Sequence, residues 1–113
     1  MDKKPTQEDY YNYSLHILNQ NKNFILNWND INADEIVHIA QIGASILMTK
    51  DNFLKGGGFV KAVLNNDLKG VFDRADNTLL RAIRFLVHMR EERLSSIEPN
   101  FKSIRGNDSV FEI

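Results

Sequence analysis

The chain has 113 residues, of which 42% are apolar and 26% charged, with a formal net charge of −1 and no cysteine. That length suits one core and not two, and the balance is far from the apolar-poor, highly charged signature of disorder. The absence of cysteine excludes disulfides, thiolate metal sites and redox dithiols, no apolar run approaches the roughly 20 residues of a membrane span, and the leading MDKKPTQED is polar where a signal peptide is apolar, so a single cytoplasmic domain over 1–113 is expected.

Residues 1–5 read as a frayed tip. Thr6 with Asp9 three positions on has capping-box spacing and opens a first helix carrying Tyr10, Tyr13, Ile17 and Leu18 at helical steps; it should stop near Asn19, where the Asn-rich NQNKN begins. Phe24, Ile25, Leu26 and Trp28 form an apolar cluster too brief to assign, a helical turn or a strand. Asn32 and Glu35 form a second capping box, and Ile36, Ile39, Ala40, Gly43, Ile46 and Leu47 recur at three- and four-residue steps, predicting a core helix from Ala33. Gly43 inside it costs about 1 kcal/mol relative to Ala and implies a second helix crossing close by. From Phe59 to Ala75 the apolar period predicts one helix with a break at Asn66. Asp76 or Asn77 then caps a long amphipathic last helix with Leu79, Leu80, Ile83, Leu86, Val87 and Leu94 on its apolar side and Arg90 and Arg93 near its end. Residues 95–113 read as a tail or a short C-terminal β-hairpin turning at Gly106-Asn107-Asp108. The fold class is therefore mainly α, a small bundle of four to five helices.

No catalytic constellation is visible, and no enzyme is expected. The histidines are not at metal-ligand spacing: His88 reads as a surface ion pair with Glu92, and His38, beside the apolar face, as a packed core residue. The run Lys55-Gly56-Gly57-Gly58 leads into a helix. A loop of this kind binds phosphate where free amides and the helix dipole converge, yet it matches neither nucleotide-binding glycine pattern, and a C-cap and turn using glycine at positive φ is the plainer reading. Charge divides unevenly, with three Lys against six acids over 1–49 and nine Lys and Arg against six acids over 50–93. Among the basic residues Arg74, Arg81, Arg84, Arg90 and Arg93, with His88 beside them, are the best surface candidates for gripping phosphates or carboxylates, set against the simpler reading of a solvated helix face. The tyrosines Tyr10, Tyr11 and Tyr13 likewise fit either core filling or an aromatic docking patch. No cofactor or metal is called for.

The segment GGGFVKAVLNNDLKGVFDRADNTLLRAI, through Gly56, Gly57, Phe59, Val60, Ala62, Ala75 and Asp76, resembles a motif of small phage-encoded accessory proteins: Gly-Gly-X-Phe-Val-X-Ala followed by Ala-Asp and an amphipathic helix. It covers about a quarter of the chain. The resemblance implies a non-enzymatic viral or mobile-element factor that binds and inhibits a host protein such as a defence nuclease or effector, an anti-CRISPR-like role in the host cytoplasm. Such an inhibitor is expected as a homo-oligomer using the last helix, the tail or the tyrosines as its interface, with an exposed apolar or aromatic patch rather than a deep pocket. The alternative is a sponge holding a phosphorylated nucleotide signal between Lys55, the glycines and Arg81 or Arg84. A helix-turn-helix regulator reading DNA with the last helix is a weaker alternative, because a pI near 6.3 lacks the basic bias of DNA-binding domains.

Overall fold

The computed structural model describes residues 5–92, and there the chain is a helical bundle. Both capping boxes form. The Thr6 hydroxyl accepts from Asp9 N–H at 3.2 Å while Asp9 returns to Thr6 N–H at 2.9 Å, starting α1, Gln7–Gln20. Asn32 and Glu35 exchange the same pair at 2.8 and 3.1 Å, starting α2, Ala33–Lys50. Each pairing satisfies two amides that a helix start otherwise leaves to water.

The apolar cluster after α1 takes the helical option, as 3-10 turns at Lys22–Phe24 and Trp28–Asp30 separated by Asn27 at φ 56°. The later elements are shorter than the periodicity suggests. One predicted helix is two, α3 (Gly58–Leu64) and α4 (Leu68–Arg74), divided where Asn66 adopts φ 58° and the Asp67 carboxylate accepts from Gly70 N–H at 3.0 Å. The break falls where it is predicted, because Asn tolerates the left-handed region and Asp caps well. The last helix is also two, α5 (Asn77–Arg81) and α6 (Ile83–Met89), interrupted at Ala82. Asp76 caps α5, accepting from Leu79 N–H at 2.8 Å. Six α-helices thus stand among the described residues, and the expectations for Arg93, Leu94 and the hairpin or tail at 95–113 lie outside them.

The core lies where α1, α2 and α6 meet. Tyr13, Leu18, Ile39, Ile46, Leu47, Phe85, Leu86 and Met89 are all almost fully buried. Each contributes roughly 1.5–3 kcal/mol of transfer free energy for a side chain of Leu or Phe size. Gly43 of α2 faces this junction: a Cβ there would stand 2.4 Å from Ser14 Oγ on α1 and 3.0 Å from Phe85 Cε2 on α6. The close helix crossing that its position implies is present. Helices α3 and α4 pack beside one another, with α3 also against α2. Among the described residues, no helix is long and apolar enough to cross a membrane.

Candidate functional site

Of the triple glycine, Gly56 and Gly58 serve close approach rather than unusual backbone, and Gly57 serves neither. None of the described glycines has positive φ; Asn52, at φ 60°, closes α2 instead, sending Phe53 N–H back to the Met48 carbonyl at 2.8 Å. The expected positive-φ role of the glycines is thereby corrected, since asparagine supplies the left-handed cap. Gly56 is buried, and a Cβ on it would lie 2.7 Å from both Thr49 Oγ1 and Val60 Cγ1. Gly58 lets the Arg74 side chain pass, its Nε 2.7 Å from where a Cβ would be. Gly57, the N-cap of α3, meets nothing, and Lys55 is exposed. Arg74 thus sits with the glycines, its Nη1 3.5 Å from the carbonyl of Gly70.

Arg81, Arg84 and His88 gather elsewhere, around Phe24. Arg81 faces inward: its Nε–H donates to the Leu26 carbonyl at 3.1 Å and its Nη2 to the Asn27 carbonyl at 2.7 Å, fastening the left-handed turn to α5. Its Nη1 is 3.7 Å from Glu35, whose Oε2 accepts from the Thr78 hydroxyl at 2.8 Å. The Thr78 hydrogen bond, then the Asn32 amide and the Arg81 charge, hold the Glu35 carboxyl below the usual carboxylate range. The Arg84 guanidinium lies over the Phe24 ring, 4.2 Å from its centroid, and His88 meets the same ring edge-on at 5.4 Å. His88 also pairs with Glu92 at 2.7 Å, as its spacing predicts. A hollow of about 300 Å³ lies between Phe24, Leu26, Leu80, Arg81 and Arg84. His38 departs from the packed-core expectation: it is partly exposed and bonds Asp76 at 2.9 Å across the surface, because its place on α2 is the margin that faces the start of α5.

Two surface features were not singled out by the sequence. An open groove of about 430 Å³ runs between α1 and α2, lined by Gln7, Glu8, Tyr11, Gln41, Ser45, Met48 and Leu54. Tyr10 and Tyr13 are buried, but Tyr11 is half-buried in this groove, and burial raises its phenol above the ordinary value. The lining offers amides, hydroxyls and apolar surface, and contains no histidine, lysine or paired carboxylate. Its two sides come from residues 30 or more apart in the chain, so of its lining only Tyr11 drew notice in the sequence. The second feature is an apolar face on α4 and α6, where Leu68, Phe72 and Val87 are 69%, 49% and 41% exposed. Among the described residues, no three His, Asp or Glu side chains cluster as metal ligands would. Compared with known proteins, the chain matches no family model, no curated protein and no solved structure.

Proposed function

We propose that the protein is a non-enzymatic accessory factor of the viral or mobile-element kind that its Gly56–Asp76 motif resembles, binding and inhibiting a host defence protein. The observation that supports this reading is the α1–α2 groove. An open channel of about 430 Å³ that mixes Met48, Leu54 and Tyr11 with Gln7, Gln41 and Ser45 fits a segment of another protein, whose apolar side chains and backbone amides it can meet together. The nucleotide-sponge alternative has less support. Arg81, one of its two candidate arginines, already donates to two backbone carbonyls, and a ligand held there would have to displace them.

The test is affinity capture of host proteins on wild-type protein and on a Ser45→Arg variant, which fills the groove from α2, with Arg84→Ala as a control away from it. Stoichiometric retention of one host protein that is lost with Ser45→Arg and kept with Arg84→Ala supports the reading, provided the captured protein's activity falls on binding. A parallel thermal-shift panel of linear and cyclic nucleotides carries the opposite outcome. A ligand at 100 times its dissociation constant stabilises a fold by about 2.7 kcal/mol, and such a shift abolished by Arg84→Ala would overturn the proposal in favour of the sponge.

A further inference from the structure

The geometry points to a second copy of this chain as the occupant of the α4–α6 face, which would make the protein a two-fold symmetric dimer through α4. This surface is separate from the α1–α2 groove and the inference does not depend on it. Leu68 and Phe72 stand one turn apart on α4 and project into solvent, although their ring and methyl groups are the kind that a folded chain buries when it can. Beside them is a mainly apolar hollow of about 140 Å³ lined by Val63, Asn66, Leu68, Val71, Ile83 and Val87. An apolar cavity near 150 Å³ holds a benzene molecule, so this hollow is the size of one aromatic ring. Phe72 does not line it, yet lies on the helix that forms its edge. The Phe72 of a second copy can enter it, and the same contact is then made in reverse.

The charges on α4 are arranged for the same symmetry. Lys69 and Asp73 are exposed, one turn apart, and flank Phe72, pairing with each other at 2.6 Å in the single chain. When two copies of one helix meet antiparallel about a two-fold axis near its middle, the early position of one faces the late position of the other. Lys69 then meets Asp73 of the second copy, and Leu68 meets Phe72. Opposite charges at the two ends of a self-pairing face select the antiparallel register and oppose the parallel one. Because the ring and the hollow lie on the same face, the contact closes on itself as a dimer and does not propagate into a filament.

The test is mass in solution by light scattering and sedimentation across a concentration series of the full chain, with helical content checked by circular dichroism. A mass of twice 13.0 kDa at high protein concentration is expected for wild type. Phe72→Asp should raise the dimer dissociation constant roughly thirtyfold or more, the effect of losing an aromatic anchor. It should leave the fold intact, since Phe72 is 49% exposed. Lys69→Asp and Asp73→Lys should each be monomeric alone and pair when mixed one to one. A wild type that stays monomeric at every concentration, a dimer indifferent to Phe72→Asp, or charge variants that fail to pair on mixing would each overturn the proposal.

Discussion

The Tyr13 hydroxyl on α1 donates to Glu92 at 2.5 Å, and Glu92 with its other oxygen holds His88 at 2.7 Å, so one carboxylate ties the end of α6 to the first helix. Lys50, at the end of α2, donates to the backbone carbonyls of Arg90 and Glu92, adding a third helix to the knot. Burial first, then the hydrogen bond to Glu92 and its charge, push the Tyr13 phenol far above its ordinary value of 10.0. The folded protein therefore keeps this proton where the unfolded chain releases it. The associated stability is present below pH 10 and is lost as pH rises beyond it. Tyr13→Phe is predicted to cost about 1 kcal/mol at neutral pH and to make the alkaline loss of stability shallower. Chemical unfolding of both proteins between neutrality and strongly alkaline pH measures this, and parallel curves above pH 10 would show that Tyr13 does not govern the alkaline limb.

The crossing at Gly43 gives a prediction whose sign can be reversed by its neighbour. An Ala at Gly43 puts a methyl 2.4 Å from Ser14 Oγ, a contact that backbone movement must relieve in a junction already filled by Phe85. Overpacking of this kind costs about 1–3 kcal/mol. Among the described residues Ser14 Oγ has no hydrogen-bond partner, and it is fully buried, so Ser14→Ala should be nearly neutral or stabilising by itself. The double variant should recover much of the loss. A double-mutant cycle by urea unfolding checks this, and strict additivity of the two changes would argue that the helices do not approach at this point.

Glu35 contributes to the acid side of the stability profile. Its carboxyl is held below the usual 4.5, so its contribution is present above that pH and lost as pH falls through the folded value. Thr78 supplies the largest part of this effect and the Arg81 charge a smaller one. Thr78→Val should accordingly flatten the loss of stability below pH 4.5 more than Arg81→Ala does, whereas Arg81→Ala should lower stability at neutral pH by about 1 kcal/mol through the carbonyls of residues 26 and 27. Thermal unfolding at several pH values between 3 and 7 separates the two. The reverse ranking on the acid limb would remove Thr78 from this role.

His16 on α1 moves the profile in the same direction from a different cause. Burial alone lowers its pKa below 6.5, favouring the neutral ring in the folded state. Its contribution is therefore full above pH 6.5 and is lost as the pH falls and the unfolded ring takes up a proton first. His16→Gln should remove the part of the stability loss that sets in as the pH falls below 6.5. Titration of the His16 ring by nuclear magnetic resonance would show the lowered midpoint directly, and a midpoint at or above 6.5 would refute it.

Much of the helical frame was legible because its signals are local. Thr6 with Asp9, Asn32 with Glu35, and Asp76 announce helix starts within four residues, and Asn66 marks a break by its own tolerance of positive φ. The interruption at Ala82 had no such mark, since the apolar period runs unbroken from Leu79 to Leu86. Its cause is a contact across the fold: the Arg81 carbonyl accepts from Leu26 N–H at 2.9 Å, and the Arg81 guanidinium holds the next carbonyls of the same turn. The same non-locality hid the roles of the candidate residues. Seen in sequence, Arg81 and Arg84 are a basic face; in the fold one is a fastener of the turn at Asn27 and the other lies over Phe24. The groove is less legible still, because Tyr11 and Ser45 come together only when α1 lies on α2.

The glycines can be tested individually, and the pattern distinguishes packing from ligand binding. At Gly57, φ is −77° and among the described residues a Cβ would meet nothing within 4 Å, so Gly57→Ala should change stability by no more than about 1 kcal/mol, the less flexible unfolded chain offsetting the poorer N-cap that Ala gives α3. Gly56→Ala places a methyl against Val60 and Thr49, both fixed in helices, and should cost about 1–3 kcal/mol. Gly58→Ala meets only the long Arg74 side chain, which can swing aside, so its cost should fall between the two and shrink further in an Arg74→Ala background. Melting temperatures of the three variants decide the matter. Gly56→Ala costing no more than Gly57→Ala would contradict the close packing at residue 56.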